Sequence, residues 1–184
     1  VLVALLAISM AAGVLTGCGS KGSEKTFTVG FDAEFPPYGY RDDNGEYVGF
    51  DLDLAAEVCK RQGWELVKQP IDWDAKDMEL SSGAIDCIWN GFTMNGREDA
   101  YTWTEPYVDN SQVVLVKAGS PVKSLKDLAG KTVGVQTDTP VQKELSGKGD
   151  KKDVAALGAT FKKLVVVPNY NNAMLELDSG AVDA

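Results

Sequence analysis

Trp89-Asn90-Gly91-Phe92-Thr93-Met94-Asn95-Gly96-Arg97 follows directly on the apolar run Ile85-Asp86-Cys87-Ile88. That run predicts a buried strand entered from a helix ending at Gly83. The chain therefore leaves a strand end into a loop bearing a glycine, a threonine hydroxyl and then a single arginine. In open α/β sheets, ligands gather at the carboxyl ends of strands. A guanidinium placed there is suited to gripping a carboxylate through two parallel hydrogen bonds. The plain alternative is a surface arginine that happens to follow a strand.

Outward from this loop, strands and helices alternate. Upstream, Phe27-Thr28-Val29-Gly30-Phe31 is β-rich and predicts the first strand. It enters Asp32-Ala33-Glu34-Phe35-Pro36-Pro37-Tyr38, where paired prolines exclude helix and ladder alike. Asn44-Gly45 marks a hairpin turn. Asp51 reads as the N-cap of a helix over 52–62 that buries Leu52, Ala55, Ala56 and Cys59 and stops at Gly63. Residues 64–69 predict a second strand, and Ile71-Asp72-Trp73-Asp74 opens a short helix running to Gly83. Downstream, strands are expected over 112–116, 132–136 and 163–167, with helices over 124–130, 140–146 and 171–179 and a polar surface loop over 147–153.

Two internal echoes organise these elements. Thr28-Val29-Gly30-Phe31-Asp32-Ala33-Glu34-Phe35-Pro36 corresponds to Thr132-Val133-Gly134-Val135-Gln136-Thr137-Asp138-Thr139-Pro140 at a shift of 104 (132 − 28). Met78-Glu79-Leu80-Ser81-Ser82-Gly83-Ala84-Ile85-Asp86 corresponds to Leu175-Glu176-Leu177-Asp178-Ser179-Gly180-Ala181-Val182-Asp183 at a shift of 97 (183 − 86). Their common order argues for two lobes on one βα plan, against independent use of common strand and helix stops. Ala184 then stands where Cys87 does and no initiator Met is present, so truncation at both ends is expected.

Composition narrows the function. The 27 acidic and 18 basic side chains leave a net charge of −9, which disfavours nucleic acid, a partner that wants clustered Lys and Arg. The sequence holds no His, which removes His-based triads, imidazole metal sites and imidazole proton shuttles; neither a metal nor a cofactor is expected. Cys59 and Cys87 lie in apolar patterns and read as inert buried thiols, with a disulfide between them open. Residues 1–15 carry no charge and are too short to span a bilayer unaided. They lead to Leu15-Thr16-Gly17-Cys18 and then the flexible run Gly19-Ser20-Lys21-Gly22-Ser23. Leu-Thr-Gly-Cys closing an apolar stretch resembles a bacterial lipoprotein signal, in which Cys18 becomes the lipidated first residue. A plain secretory signal with an incidental Cys is the alternative.

If the two lobes face each other, four strand ends share one cleft. Asp32 to Tyr38, Trp73 and Asn90 to Arg97 come from the first lobe, Gln136 to Pro140 from the second. Arg97 can clamp a carboxylate; backbone N–H groups at Thr93 and at the helix start after Pro140 can add donors. Carbonyls and the Thr93 hydroxyl can accept from an ammonium. Phe35, Tyr38 and Trp73 can sandwich a side chain. The set suits a free amino acid. Against it, Phe35 and Tyr38 can be loop staples, Trp73 a core residue, and Asp86 a group that orients its strand.

From Phe27 to Ala184 the chain resembles the extracellular solute-binding proteins of polar amino acid ABC importers. The resemblance is carried by Thr28-Val29-Gly30-Phe31-Asp32 with Phe35-Pro36-Pro37-Tyr38, by Gly49-Phe50-Asp51-Leu52-Asp53-Leu54 and by Ser82-Gly83-Ala84-Ile85-Asp86. Gly91-Phe92-Thr93 with Arg97, Thr104-Glu105-Pro106-Tyr107 and the run from Lys126 to Gln136 complete it. It implies an α/β, two-lobe type II periplasmic-binding-protein fold, incomplete in the later part of lobe II and the returning part of lobe I. The organisation expected is a partial signal peptide over 1–17, a lipidated Cys and tether over 18–25, lobe I over 26–110, and the hinge crossing with lobe II over 111–184. By analogy, Arg97 and Thr93 hold the ligand's α-carboxylate and Asn90 and Gly91 line the ammonium side. Phe35 and Trp73 stack on the side chain, with Tyr38 beside them; Asp32 lies at the first strand, and Gln136 and Thr139 close from lobe II. Pro140 departs from the family pattern and removes a backbone donor there.

The function implied is a non-enzymatic, monomeric, lipid-anchored receptor outside the bacterial cell membrane that passes an amino acid to ABC permease subunits. The rival readings are a cyclohexadienyl- or arogenate-dehydratase-like enzyme using Asp32 or Glu34 for proton transfer, and an amino acid sensor module without an importer.

Overall fold

The computed structural model describes residues 25–184, so the lipoprotein-like stretch and Cys18 lie outside the described residues. β1 (Thr26–Phe31) is the middle strand of a parallel sheet ordered β5-β1-β6, with β5 at Glu65–Pro70 and β6 at Cys87–Ile88. Its register runs from Thr26 opposite Glu65 to Phe31 opposite Pro70 on one side, and pairs Val29 with Cys87 on the other. Val29 and Phe31 are fully buried, as a central parallel strand covered on its faces requires. A small antiparallel sheet, β2 (Glu34–Phe35), β3 (Gly39–Arg41) and β4 (Tyr47–Val48), flanks the exit of β1. The prolines stay out of its ladder, and Gly45 turns the hairpin at φ 87.

α1 (Phe50–Gln62) carries the chain from β4 to β5 and buries Leu52, Ala55 and Cys59. Ala56 faces solvent instead of the core, and Asp51 takes the inward place. The N-cap is Gly49, not Asp51. Gly49 sits at φ 132, and a Cβ there would collide with the Tyr38 carbonyl oxygen. That close approach lets the carbonyls of Pro37 and Tyr38 accept from the N–H groups of Phe50 and Asp51 at 3.0 Å each. The helix start is satisfied by loop backbone, which frees the Asp51 side chain for another task. A 3-10 turn (Trp73–Ala75) then runs into α2 (Lys76–Ser82), capped by the left-handed Gly83.

The second lobe pairs β7 (Thr132–Gln136) with β8 (Lys163–Val167), again parallel, from Thr132 opposite Lys163 to Gln136 opposite Val167. α3 (Pro140–Leu145) and α4 (Lys152–Gly158) lie between them, and α5 (Tyr170–Ser179) follows. α4 begins inside the stretch expected to be a surface loop, 147–153; its polar first turn hides a helix whose Gly158 packs against the Leu145 carbonyl. Val122, Leu128 and Val133 form this lobe's core, with Leu128 on a 3-10 turn (Leu125–Leu128) bearing a Ser124–Asp127 capping box.

The strand expected over 112–116 does not form. Among the described residues it has no ladder partner, and a lone strand leaves its backbone groups to water. Val113 is accordingly 84% exposed.

The echoes are structural. Thr28 donates its N–H to the Asp86 carboxylate at 2.7 Å and accepts from the Asp86 N–H at 2.8 Å. Thr132 and Asp183 repeat both bonds, each at 2.8 Å. Asp86 thus orients its strand and does not face the cleft. Cys59 and Cys87 are free thiols, and burial pushes both upward in pKa, Cys87 to about 12.

Candidate functional site

The parallel strands of both lobes end at one cleft: β1 at Asp32, β5 before Trp73, β6 before Asn90, β7 at Gln136 and β8 before Tyr170. Where these ends meet lies a cavity of about 220 Å³. Phe35, Trp73, Asn90, Gly91, Thr93, Arg97, Gln136 and Thr139 all line it. Tyr38 and Asp32 do not. Tyr38 stands behind Phe35, their rings stacked at 5.3 Å with planes 19° apart, so it backs the ring that faces the cavity. Asp32 lines a second hollow instead, of about 590 Å³, together with Glu34, Asp72, Asp74 and Glu79 and sharing Trp73 with the first.

The Asp32 carboxylate is committed to structure. One oxygen accepts from the Glu34 N–H at 2.8 Å, the other from Gln136 Nε2 at 3.0 Å, while the Asp32 N–H donates to Asn90 Oδ1 at 3.1 Å. Burial nonetheless raises its pKa above the ordinary value, outweighing these bonds. Because Asp32 and Gln136 are related by the shift of 104, the two lobes touch through equivalent strand ends.

Arg97 is 16% exposed, with its guanidinium over the Phe92 ring at 4.8 Å. Its loop is locked by the Arg97 carbonyl, which accepts from Trp103 Nε1 at 3.1 Å, and by Phe92, Tyr101 and Trp103, packed at 5.0 to 5.2 Å. Its Nη2 donates to the Asp138 carbonyl at 2.6 Å. The Thr93 hydroxyl accepts from Asn110 Nδ2 at 2.7 Å, which ties the loop to the unpaired stretch that also lines the cavity. The Thr139 hydroxyl caps α3, accepting from the Gln142 N–H at 3.2 Å and donating to the Gln136 carbonyl at 2.9 Å. The anion donors expected at the start of α3 are therefore partly spent on the helix itself.

Asp51 holds the first-lobe side from beneath. Fully buried, its carboxylate accepts from the Gly91 N–H at 2.6 Å and from the Tyr107 hydroxyl at 2.8 Å. Desolvation raises the pKa of both Asp51 and Tyr107.

Sequence reasoning placed Phe92 and Pro140 within the cleft stretches but missed Asn110, Ser111, Gln112, Val113 and Tyr170 in the wall. Tyr170, whose ring lies 5.7 Å from Phe35, had a signal. The shift of 97 takes Trp73 to 170 (73 + 97), so the aromatic at the start of α5 is the second lobe's counterpart of Trp73. Among the described residues no group of three potential ligands is gathered to hold a metal ion.

The profile of the bacterial extracellular solute-binding proteins, family 3, matches residues 27–178. The arginine-binding extracellular protein ArtP of Bacillus subtilis (strain 168) is 34% identical over 128 residues, 66% of this chain and 50% of that protein. A solved ancestral arginine-binding protein bound to arginine superposes with a TM-score of 0.76 at 37% identity, over 87% of this chain and 68% of that one. The ancestral amino acid-binding protein AncCDT-1, a precursor of cyclohexadienyl dehydratase, superposes at 0.75 with 29% identity, over 86% and 67% respectively. The chain thus spans about half the length of its curated relative and two thirds of the solved ones.

Proposed function

The chain belongs to the bacterial extracellular solute-binding proteins, family 3, with the two-lobe type II periplasmic-binding-protein fold, and on that basis we propose that it captures a polar amino acid outside the cytoplasmic membrane and delivers it to an ABC importer. Lobe I spans 26–110 and lobe II 111–184 in this reading, and Cys18 anchors the protein to the membrane through lipid. The observation that carries the proposal is Arg97: a nearly buried guanidinium in one cavity with Trp73, Phe35 and Tyr170.

A carboxylate entering the cavity meets a cation held by fixed partners rather than by water. The rings take the ligand's side chain, and the loop carbonyls with the Thr93 hydroxyl accept from its ammonium. A cavity of about 220 Å³ holds a molecule of amino acid size. The dehydratase alternative relies on Asp32 or Glu34 as the proton-transfer acid. Asp32 is bonded by two donors and the Glu34 carboxylate accepts from Asn171 Nδ2, which supports binding over proton transfer.

Calorimetry of the full-length protein against the amino acids is expected to show saturable binding of at least one polar member. Incubation with prephenate is expected to yield no keto acid. No binding across the series would sink the receptor reading, and keto-acid release would replace it with the enzyme. Cys18→Ser is expected to shift the protein from the membrane fraction to the soluble one, and unchanged membrane retention would remove the lipid anchor.

A further inference from the structure

One residue of the second lobe reaches two first-lobe cations, Arg97 in the cavity wall and Lys76 buried beside it. Asp138 adopts a left-handed backbone at φ 48, alone among the non-glycine residues described. Its carbonyl takes the Arg97 Nη2 hydrogen bond, and its carboxylate pairs with the Lys76 ammonium and lies 4.0 Å from the same Arg97 nitrogen. Lys76, the first residue of α2, is 1% exposed, with its ammonium 5.2 Å from the Trp73 ring centre and 6.0 Å from that of Phe92. An ammonium seated so deeply is tolerable only with a counter-charge. Its counter-charge comes from the opposite lobe.

The internal repeat shows a matching bridge. The shift of 104 takes Glu34 to Asp138, and the Glu34 carboxylate accepts from Asn171, near the start of α5. Two equivalent acids, one per lobe, each cross the cleft to the opening turn of a helix on the other side. The Asp32–Gln136 contact lies between them.

We propose that Lys76 and Asp138 are positioning residues for the ligand cavity, an ion pair that draws the lobes together and delivers the Asp138 carbonyl to Arg97. Opening separates the pair and hydrates both groups; closing seats Asp138 on Lys76 and brings the left-handed turn against the guanidinium. With Lys76 taking the Asp138 carboxylate, the Arg97 guanidinium is left to meet an incoming anion. The pair therefore sets how much unliganded protein is closed, and through that population the apparent affinity.

The test uses the full-length protein with spin labels on the two lobes and no ligand, so a wrong assignment of the ligand leaves its readout intact. Lys76→Met and Asp138→Asn are each expected to shift the interlobe distance distribution toward the open form. The double variant is expected to go no further than either single one, and Lys76→Arg to keep the wild-type distribution. For an amino acid found to bind, each single variant is expected to lose affinity by about tenfold, a partly screened fraction of what a fully buried pair would give. Unchanged distances in the single variants, or additive shifts in the double, would overturn the proposal. Should Lys76→Met fail to fold, Asp138→Asn decides alone, since Asp138 is half exposed.

Discussion

Arg97→Ala in the full-length protein is expected to weaken amino acid binding by at least about 30-fold, the lower end of the loss caused by removing one partner of a desolvated charge pair. The effect is large because nothing else described in the cavity wall can replace it. Lys76, the nearest other cation, is spent on Asp138 and does not line the cavity. Arg97→Lys keeps the charge but loses the planar fork and its stacking on Phe92, so its affinity is expected to lie between wild type and the alanine variant. The unliganded fold is expected to survive, because the aromatic packing of Phe92, Tyr101 and Trp103 does not depend on the guanidinium. Calorimetry on both variants, with thermal unfolding as the control for folding, decides the matter. Unchanged affinity in Arg97→Ala would refute the carboxylate clamp.

Arg97, Trp73 and Phe35 were legible while Asp138 and Lys76 were not, and the difference lies in the range of the forces involved. A residue just past a strand end is placed by the strand, and hydrophobic pattern alone locates the strand. Lys76 and Asp138 meet across 62 residues and two lobes, and the Asp138 turn depends on a backbone angle that composition does not announce. Asp51 misled for a different reason. It satisfies the local rule for an N-cap, but the carbonyls of Pro37 and Tyr38 reach the helix start first because Gly49 lets the loop approach. Residues 112–116 failed as a strand because β-propensity supplies no hydrogen-bond partner. Tyr170 was within reach, since extending the second echo back to Trp73 lands on it. The repeat was the strongest signal in the sequence, and it extends further than the residues that first reveal it.

The Asp51 pairing carries the second large expectation. Asp51→Ala leaves the Gly91 N–H and the Tyr107 hydroxyl without their acceptor, at about 1–3 kcal/mol for the Gly91 N–H and less for Tyr107, which is 43% exposed. A loss of roughly 1–4 kcal/mol in unfolding free energy is therefore expected by chemical denaturation. Asp51→Asn keeps an amide oxygen for one of the two donors, so its loss should be smaller. The pH dependence separates the charge from the contacts. Burial, opposed by the bonds from Tyr107 and Gly91, raises the Asp51 pKa above 3.8, so the native state binds this proton more tightly than the unfolded chain does. The resulting contribution to stability is complete below 3.8 and is lost as pH rises through the raised native value. Asp51's contribution to wild-type stability should therefore slope downward across that window. Asp51→Asn should remove Asp51's share and leave that of Asp32, which is shifted the same way. Because Gly91 belongs to the cavity wall, Asp51→Ala should also weaken ligand binding, which a merely remote destabilisation would not do. Wild-type stability in Asp51→Ala, or an undiminished pH slope in Asp51→Asn, would show that this carboxylate neither holds the loop nor titrates as its burial requires.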